Sequence, residues 1–145
     1  MKKQLLIFLI ACIGIPAFAQ KKISEDEFRA KKEAYITKKA ELTPEEAAQF
    51  FPLYFELQDK KAANNRKAWS KSKDGLKPDV TEQEYEDIFN AFFEVNNENS
   101  LLDKEYMKKC QKFLSNKKIF MALKAEILFN RHMLKIMQKQ KNNKE

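Results

Sequence analysis

The chain of 145 residues contains only two glycines and four prolines, and Gly14 and Pro16 both fall among its first twenty residues. That is too little turn-forming chemistry for a β fold, which needs tight turns at short intervals. An all-α chain is expected, and four helix starts can be read from capping patterns. Ser24 with Glu27 forms a capping box for a first helix reaching about Lys39. Thr43 with Glu46 forms a second, with Pro44 at the first helical position, where its missing N–H costs nothing. This helix should run to about Lys73, stopped by Asp74-Gly75. Thr81 with Glu84 caps a third after Pro78, and Ser115 begins a fourth that fades into the polar tail.

Helical periodicity predicts which faces are buried. In the second helix Ala47, Phe50, Phe51, Tyr54, Gln58, Ala62 and Trp69 share a face, and in the third Tyr85, Ile88, Phe89, Phe92, Val95, Tyr106, Cys110, Phe113 and Leu114 do. Asn96, Asn99 and Asp103 fall on that third stripe, so its middle should pack loosely, bend or face water. In the fourth helix the expected core stripe is Ile119, Leu123, Ile127, Asn130, Leu134 and Met137. Pro52, read as sitting within the apolar part of the second helix, removes a backbone hydrogen bond and crowds the carbonyl of Ala48. It should bend the helix at a cost of about 3 kcal/mol unless packing offsets it. The bend either shapes a concave surface or fits the helix around its neighbours.

The first nineteen residues read as a secretory leader. Lys2 and Lys3 precede an apolar run from Leu5 to Ile15, and Ala17-Phe18-Ala19 is a small-x-small cleavage pattern, so cleavage is expected before Gln20. A membrane anchor is disfavoured because the run falls short of the roughly 20 residues that span a bilayer. A lipidated Cys12 after Leu9-Ile10-Ala11 is the other alternative. The mature chain, residues 20–145, is one domain in size. Losing Lys2 and Lys3 lowers its formal charge from +7 to +5. For a basic exported (periplasmic) protein, nucleic acid is not the expected partner. Anionic membrane surfaces, acidic polymers and acidic protein segments are, unless the lysines simply solvate the surface.

Only Cys110 remains after processing, so there is no intrachain disulfide framework. Its alignment with Tyr106 and Phe113 favours a buried thiol over an interchain disulfide. Apolar residues also exceed what one stripe per helix accounts for: Leu53, Leu57 and Phe55 flank the second stripe, and Met121, Leu128, Phe129 and Ile136 lie off the fourth. Such a surplus marks a protein-binding surface.

Leu42-Thr43-Pro44-Glu45-Glu46 resembles the L-T-x-x-Q signature of the CpxP/Spy family of periplasmic chaperones and envelope-stress sensors, with Glu46 in place of glutamine. Leu114-Ser115-Asn116-Lys117-Lys118 looks like a second copy in which Lys118 cannot close a capping box. The layout is similar too: an Ile36-Thr37 helix end, the Phe51-Pro52-x-Tyr54 step, and Ala125-Glu126-x-x-Phe129 in the last helix. The resemblance implies a long-helix hairpin pairing into a curved homodimer that binds unfolded or misfolded envelope proteins without ATP. The alternative it implies is an envelope-stress or metal-responsive regulator binding one sensor or anti-sigma partner. Phe55, Leu57, Phe93, Leu128, Phe129 and Ile136 are the expected apolar contacts, with Arg66, Lys67, Lys109 and Arg131 as their charged complement.

No enzyme is expected, since one histidine, no Gly-rich phosphate loop and no serine elbow leave nothing to position a nucleophile. No cofactor is expected either. His132 beside Met133 and Met137 could suit copper(I), but no second histidine completes a site, and a surface histidine is the simpler reading.

Overall fold

A computed structural model describes residues 24–142, leaving aside the side chains of residues 140 and 141. The leader and its cleavage site lie outside the described residues. Four α-helices follow one another: α1 (Glu25–Ala40), α2 (Pro44–Ser72), α3 (Glu82–Cys110) and α4 (Asn116–Asn142), with a single 3-10 turn (Lys73–Leu76) between α2 and α3. No strand occurs among the described residues.

The helix starts follow the capping chemistry. Ser24 accepts the Glu27 N–H at 3.1 Å, and Glu25, Asp26 and Glu27 crowd the positive end of the α1 dipole. Thr43 and Glu46 close both halves of a capping box at α2, and Thr81 and Glu84 do the same at α3. At the far end of α1 the chain turns through Glu41, held at a left-handed φ of 52°, and its amide bonds the Thr37 carbonyl. Gly75 serves a different need. A Cβ there would meet Ile88 Cδ1 at 3.1 Å, so the small residue lets the turn close onto α3.

α2 and α3 form a long antiparallel hairpin, and the order of their contacts shows its sense: Lys61 meets Asp103, Asn64 meets Asn99, and Trp69 meets Phe92. α1 folds back along α2, where Arg29 pairs with Asp59 at 2.7 Å and lies over the Phe55 ring at 5.0 Å. α4 runs antiparallel to α1, packing Phe129 against both Phe28 and Tyr35. The main core therefore sits at the open end of the hairpin. Ile36, Leu42, Phe50, Phe51, Tyr54, Cys110, Leu114, Ile119, Ala122 and Ala125 form one buried cluster there.

Two expectations are overturned. α2 continues unbroken through Pro52, which is exposed rather than within the apolar face. Ala48, whose carbonyl loses its donor, is exposed too, so water can satisfy it. The second correction concerns α4, which buries Ile119, Ala122, Ala125 and Phe129 while Leu123, Ile127, Leu134 and Met137 stay at least half exposed. Alanines on the packing face let α4 approach its neighbours closely, and of the expected stripe Ile119 is buried while Leu123, Ile127, Leu134 and Met137 are turned outward.

Candidate functional site

Three apolar surfaces lie outside the core. The first is at the closed end of the hairpin, where Ala68 and Ile88 are the buried apolar residues. Around them Trp69, Phe89 and Phe93 are 65%, 58% and 68% exposed. Trp69 meets Phe92 edge-on at 5.8 Å, which props the indole across the two helices with one face open. Arg66, exposed, stands three residues before Trp69 on a neighbouring part of α2, whereas Lys67, also exposed, is two residues away and faces another side of the helix. Aromatic rings beside free cations make this end a surface that can hold apolar and acidic groups together.

The second surface is a cleft of about 350 Å³ where α2, α3 and α4 converge. Leu53 and Leu57 from α2, Met107 from α3 and Leu123 from α4 supply its apolar lining, and Lys61 and Asp103 pair at 2.7 Å on its rim. Tyr54 lies beneath, its hydroxyl buried with no hydrogen-bond partner at normal length. Burial, and secondarily the nearby Glu126 carboxylate, push the phenol well above its ordinary value, so it stays neutral. The cleft can take an apolar side chain.

The third surface is the outward stripe of α4. Phe120, Leu123, Ile127, Leu134 and Met137 are each 50–62% exposed.

The predicted contact residues do not assemble into one site. Phe93, Arg66 and Lys67 are on the closed end, and Leu57 lines the cleft. Leu128 and Arg131 edge a shallow depression with Tyr35, His132 and Lys135, while Ile136 is half-buried. Phe129 belongs to the core instead. It is 5% exposed, with Phe28 and Tyr35 ring centroids at 5.4 and 5.6 Å and the Lys32 ammonium at 5.8 Å. Partial burial lowers the Lys32 pKa, offset in part by Glu126. Phe55 is likewise a packing residue, tilted against Phe51, edge-on to Tyr54 and covered by Arg29. Lys109 is engaged by Glu105 at 2.7 Å, the hydrogen bond that chiefly raises its pKa, and lies 4.2 Å from the Tyr106 ring centroid. It is a fixed cation rather than a free complement.

The two motif copies meet in space. Leu42 and Leu114 are buried in the same cluster, and Thr43 and Ser115 each accept the N–H three residues on. Their fifth positions, Glu46 and Lys118, form an ion pair across α2 and α4. Lys118 does not complete a capping box, as the sequence indicates, but it joins the first copy's box by bonding the same Glu46 oxygen that accepts the Thr43 N–H. Both contacts, Lys118 first, hold the Glu46 carboxyl below its usual range.

In the middle of the hairpin Asn99, 8% exposed, donates to Asn65 at 3.0 Å and accepts from Asn64 at 3.2 Å. Of the polar stretch of α3, Asn99 is thus buried and paired, while Asn96 and Asp103 face water, Asp103 in an ion pair with Lys61. Cys110 is buried, and desolvation raises its thiol pKa, which suits a packing residue and not a reactive one. His132 is exposed, and among the described residues no group of three or more His, Cys, Asp or Glu side chains is placed to hold a metal. No described helix is long and apolar enough to cross a membrane.

Trp69 and Phe89 were expected in the core, and it is their surroundings that expose them. Among the described residues no third helix reaches the closed end, where only the short 3-10 turn packs beside α2 and α3. No protein-family model, curated protein or solved structure matches the chain.

Proposed function

We propose that this chain is an exported, ATP-independent chaperone of the CpxP/Spy type that holds unfolded protein segments in the envelope, working as a homodimer. The observation that carries this reading is the closed end of the hairpin, where Trp69, Phe89 and Phe93 stand exposed with Arg66 less than a turn from the indole and Lys67 on another side of α2. Unfolded segments present apolar side chains without fixed geometry. Separate aromatic rings on a two-helix support can meet many such sequences, each contact weak, while the cations add attraction to acidic stretches. Weak contacts release by diffusion, so no nucleotide is needed to drive the cycle.

Light scattering from two or three unrelated unfolding proteins tests it. The purified chain is expected to suppress aggregation of each in proportion to its concentration, and less so at high salt, where screening weakens the Arg66 and Lys67 contribution. Replacing Phe89 and Phe93 together by Ser is expected to remove most of the effect with helicity retained. Suppression that persists in that variant would move the client surface elsewhere.

A second reading, a regulator with one specific partner, is favoured by the cleft between α2, α3 and α4. A defined hole lined by Leu53, Leu57, Met107 and Leu123 suits one inserted anchor side chain better than many varied ones. Pull-down from an envelope extract separates the two readings: one stoichiometric protein lost on Leu57→Lys supports the regulator.

A further inference from the structure

The outward stripe of α4 has a spacing that the monomer does not use. Phe120, Leu123, Ile127, Asn130, Leu134 and Met137 succeed one another at intervals of three, four, three, four and three, the repeat of a coiled-coil seam. A helix whose only task is to cover a neighbour needs one apolar stripe, and α4 already has one in Ala122, Ala125 and Phe129. The second stripe runs over about five turns with its five large apolar side chains at least half exposed.

We propose that a second copy of this chain covers it, the two α4 helices lying parallel and in register as a two-stranded coiled coil. Two features select a copy of the same chain. Asn130 falls at an inward position of the repeat, and its amide, both donor and acceptor, is complementary to itself across a two-fold axis. Asn130 occupies the d position of the repeat, where an inward amide is costly unless it meets its own symmetry mate.

The flanking charges select the direction. On the open side of the seam lie Lys124 and Arg131, both exposed, and on the other Ile119, Glu126 and Met133. An antiparallel pair would set the cationic flanks against each other. A parallel pair sets Arg131 of one copy toward Glu126 of the other, a half-buried carboxylate that also faces Tyr54 and Lys32 of its own chain, and keeps Lys124 away from like charge. The seam supplies a geometry for the dimer while standing apart from the chaperone reading, since neither Phe89 nor Phe93 lies on it.

Sedimentation of the purified chain over a concentration series is expected to give twice the monomer mass. Ile127→Lys with Leu134→Lys should return the monomer mass with helicity unchanged, because both side chains are exposed. A wild-type chain that stays monomeric, or a double variant that stays dimeric, overturns the proposal. Direction is read from single cysteines in a Cys110→Ala background: Leu123→Cys, Asn130→Cys and Met137→Cys. A parallel, in-register pair cross-links each of the three to itself under mild oxidation. An antiparallel pair cross-links at most one and overturns the parallel arrangement, and cross-linking at none places the interface elsewhere. Asn130→Leu should tighten the dimer on the order of tenfold, and an unchanged dissociation constant removes Asn130 from the interface. Retained aggregation suppression by the monomeric variant would separate this seam from client binding.

Discussion

The two ends of the hairpin are built from similar residues and held in opposite ways. At the open end, three aromatic side chains of α2, Phe50, Phe51 and Tyr54, are 4–5% exposed because α1 and α4 close over them. At the closed end, Trp69, Phe89 and Phe93 have no third helix above them among the described residues and are more than half exposed. Aromatic content therefore does not set burial here; the number of neighbouring helices does. Stability should concentrate at the open end and binding at the closed end.

Phe50→Ala is the strongest way to break that contrast. It removes a fully packed ring from the main cluster and should cost about 3–5 kcal/mol in a urea melt, whereas a small loss would mean that the open end is not the seat of stability. Asn99→Leu strikes the boundary between the two ends. It leaves Asn64 and Asn65 without their partner and should cost about 1–3 kcal/mol, with hydrogen exchange quickening toward the closed end first.

Glu46→Lys sets two cations together where the motif copies meet and should lower the melting temperature, while adding Lys118→Glu should restore most of the loss. Thermal melts of the wild type, both single variants and the double variant close that cycle. The same pair fixes an acid dependence. Glu46 is held below its ordinary 4.5 chiefly by Lys118, and Glu84 at the closed end is held below 4.5 chiefly by the Thr81 backbone N–H. Each therefore contributes stability that is full above about pH 4.5 and is lost as pH falls through the lower folded value. Hydrogen exchange measured as pH is lowered from 6 should show protection fading at both helix starts, and Glu46→Gln should remove that dependence at the open end alone. The smallest effect belongs to Phe93→Ala, expected to shift stability by no more than about 0.5 kcal/mol while weakening client binding.

The helix starts were legible because capping is local: Ser24, Thr43, Thr81 and Ser115 announce the boundaries within four residues. The rotation of α4 was not, because the helix carries two apolar stripes, and periodicity gives their angular positions without saying which one meets a neighbour. Ala122 and Ala125 decided it, being small enough for close approach yet weak as hydrophobic signals. Phe129 went with them into the core and left the predicted contact set. Asn99 shows the converse, a polar residue on an apolar stripe whose partners, 34 and 35 residues away, no local pattern discloses. Among the predicted contacts, Phe93, Arg66 and Lys67 are exposed at the closed end, Lys67 on another side of α2 from Trp69.

The Glu46–Lys118 pair joins positions 72 residues apart, and Phe129 reaches α1 from still further along the chain. A ribosome releases α1, α2 and α3 before either contact can form. Until α4 emerges, the rings of Phe50, Phe51 and Tyr54 lack the layer that finally covers them. During its own synthesis and export, the chain would then pass through the condition of the proteins it is proposed to hold, with its aromatic centre bare and its last helix serving as the cover.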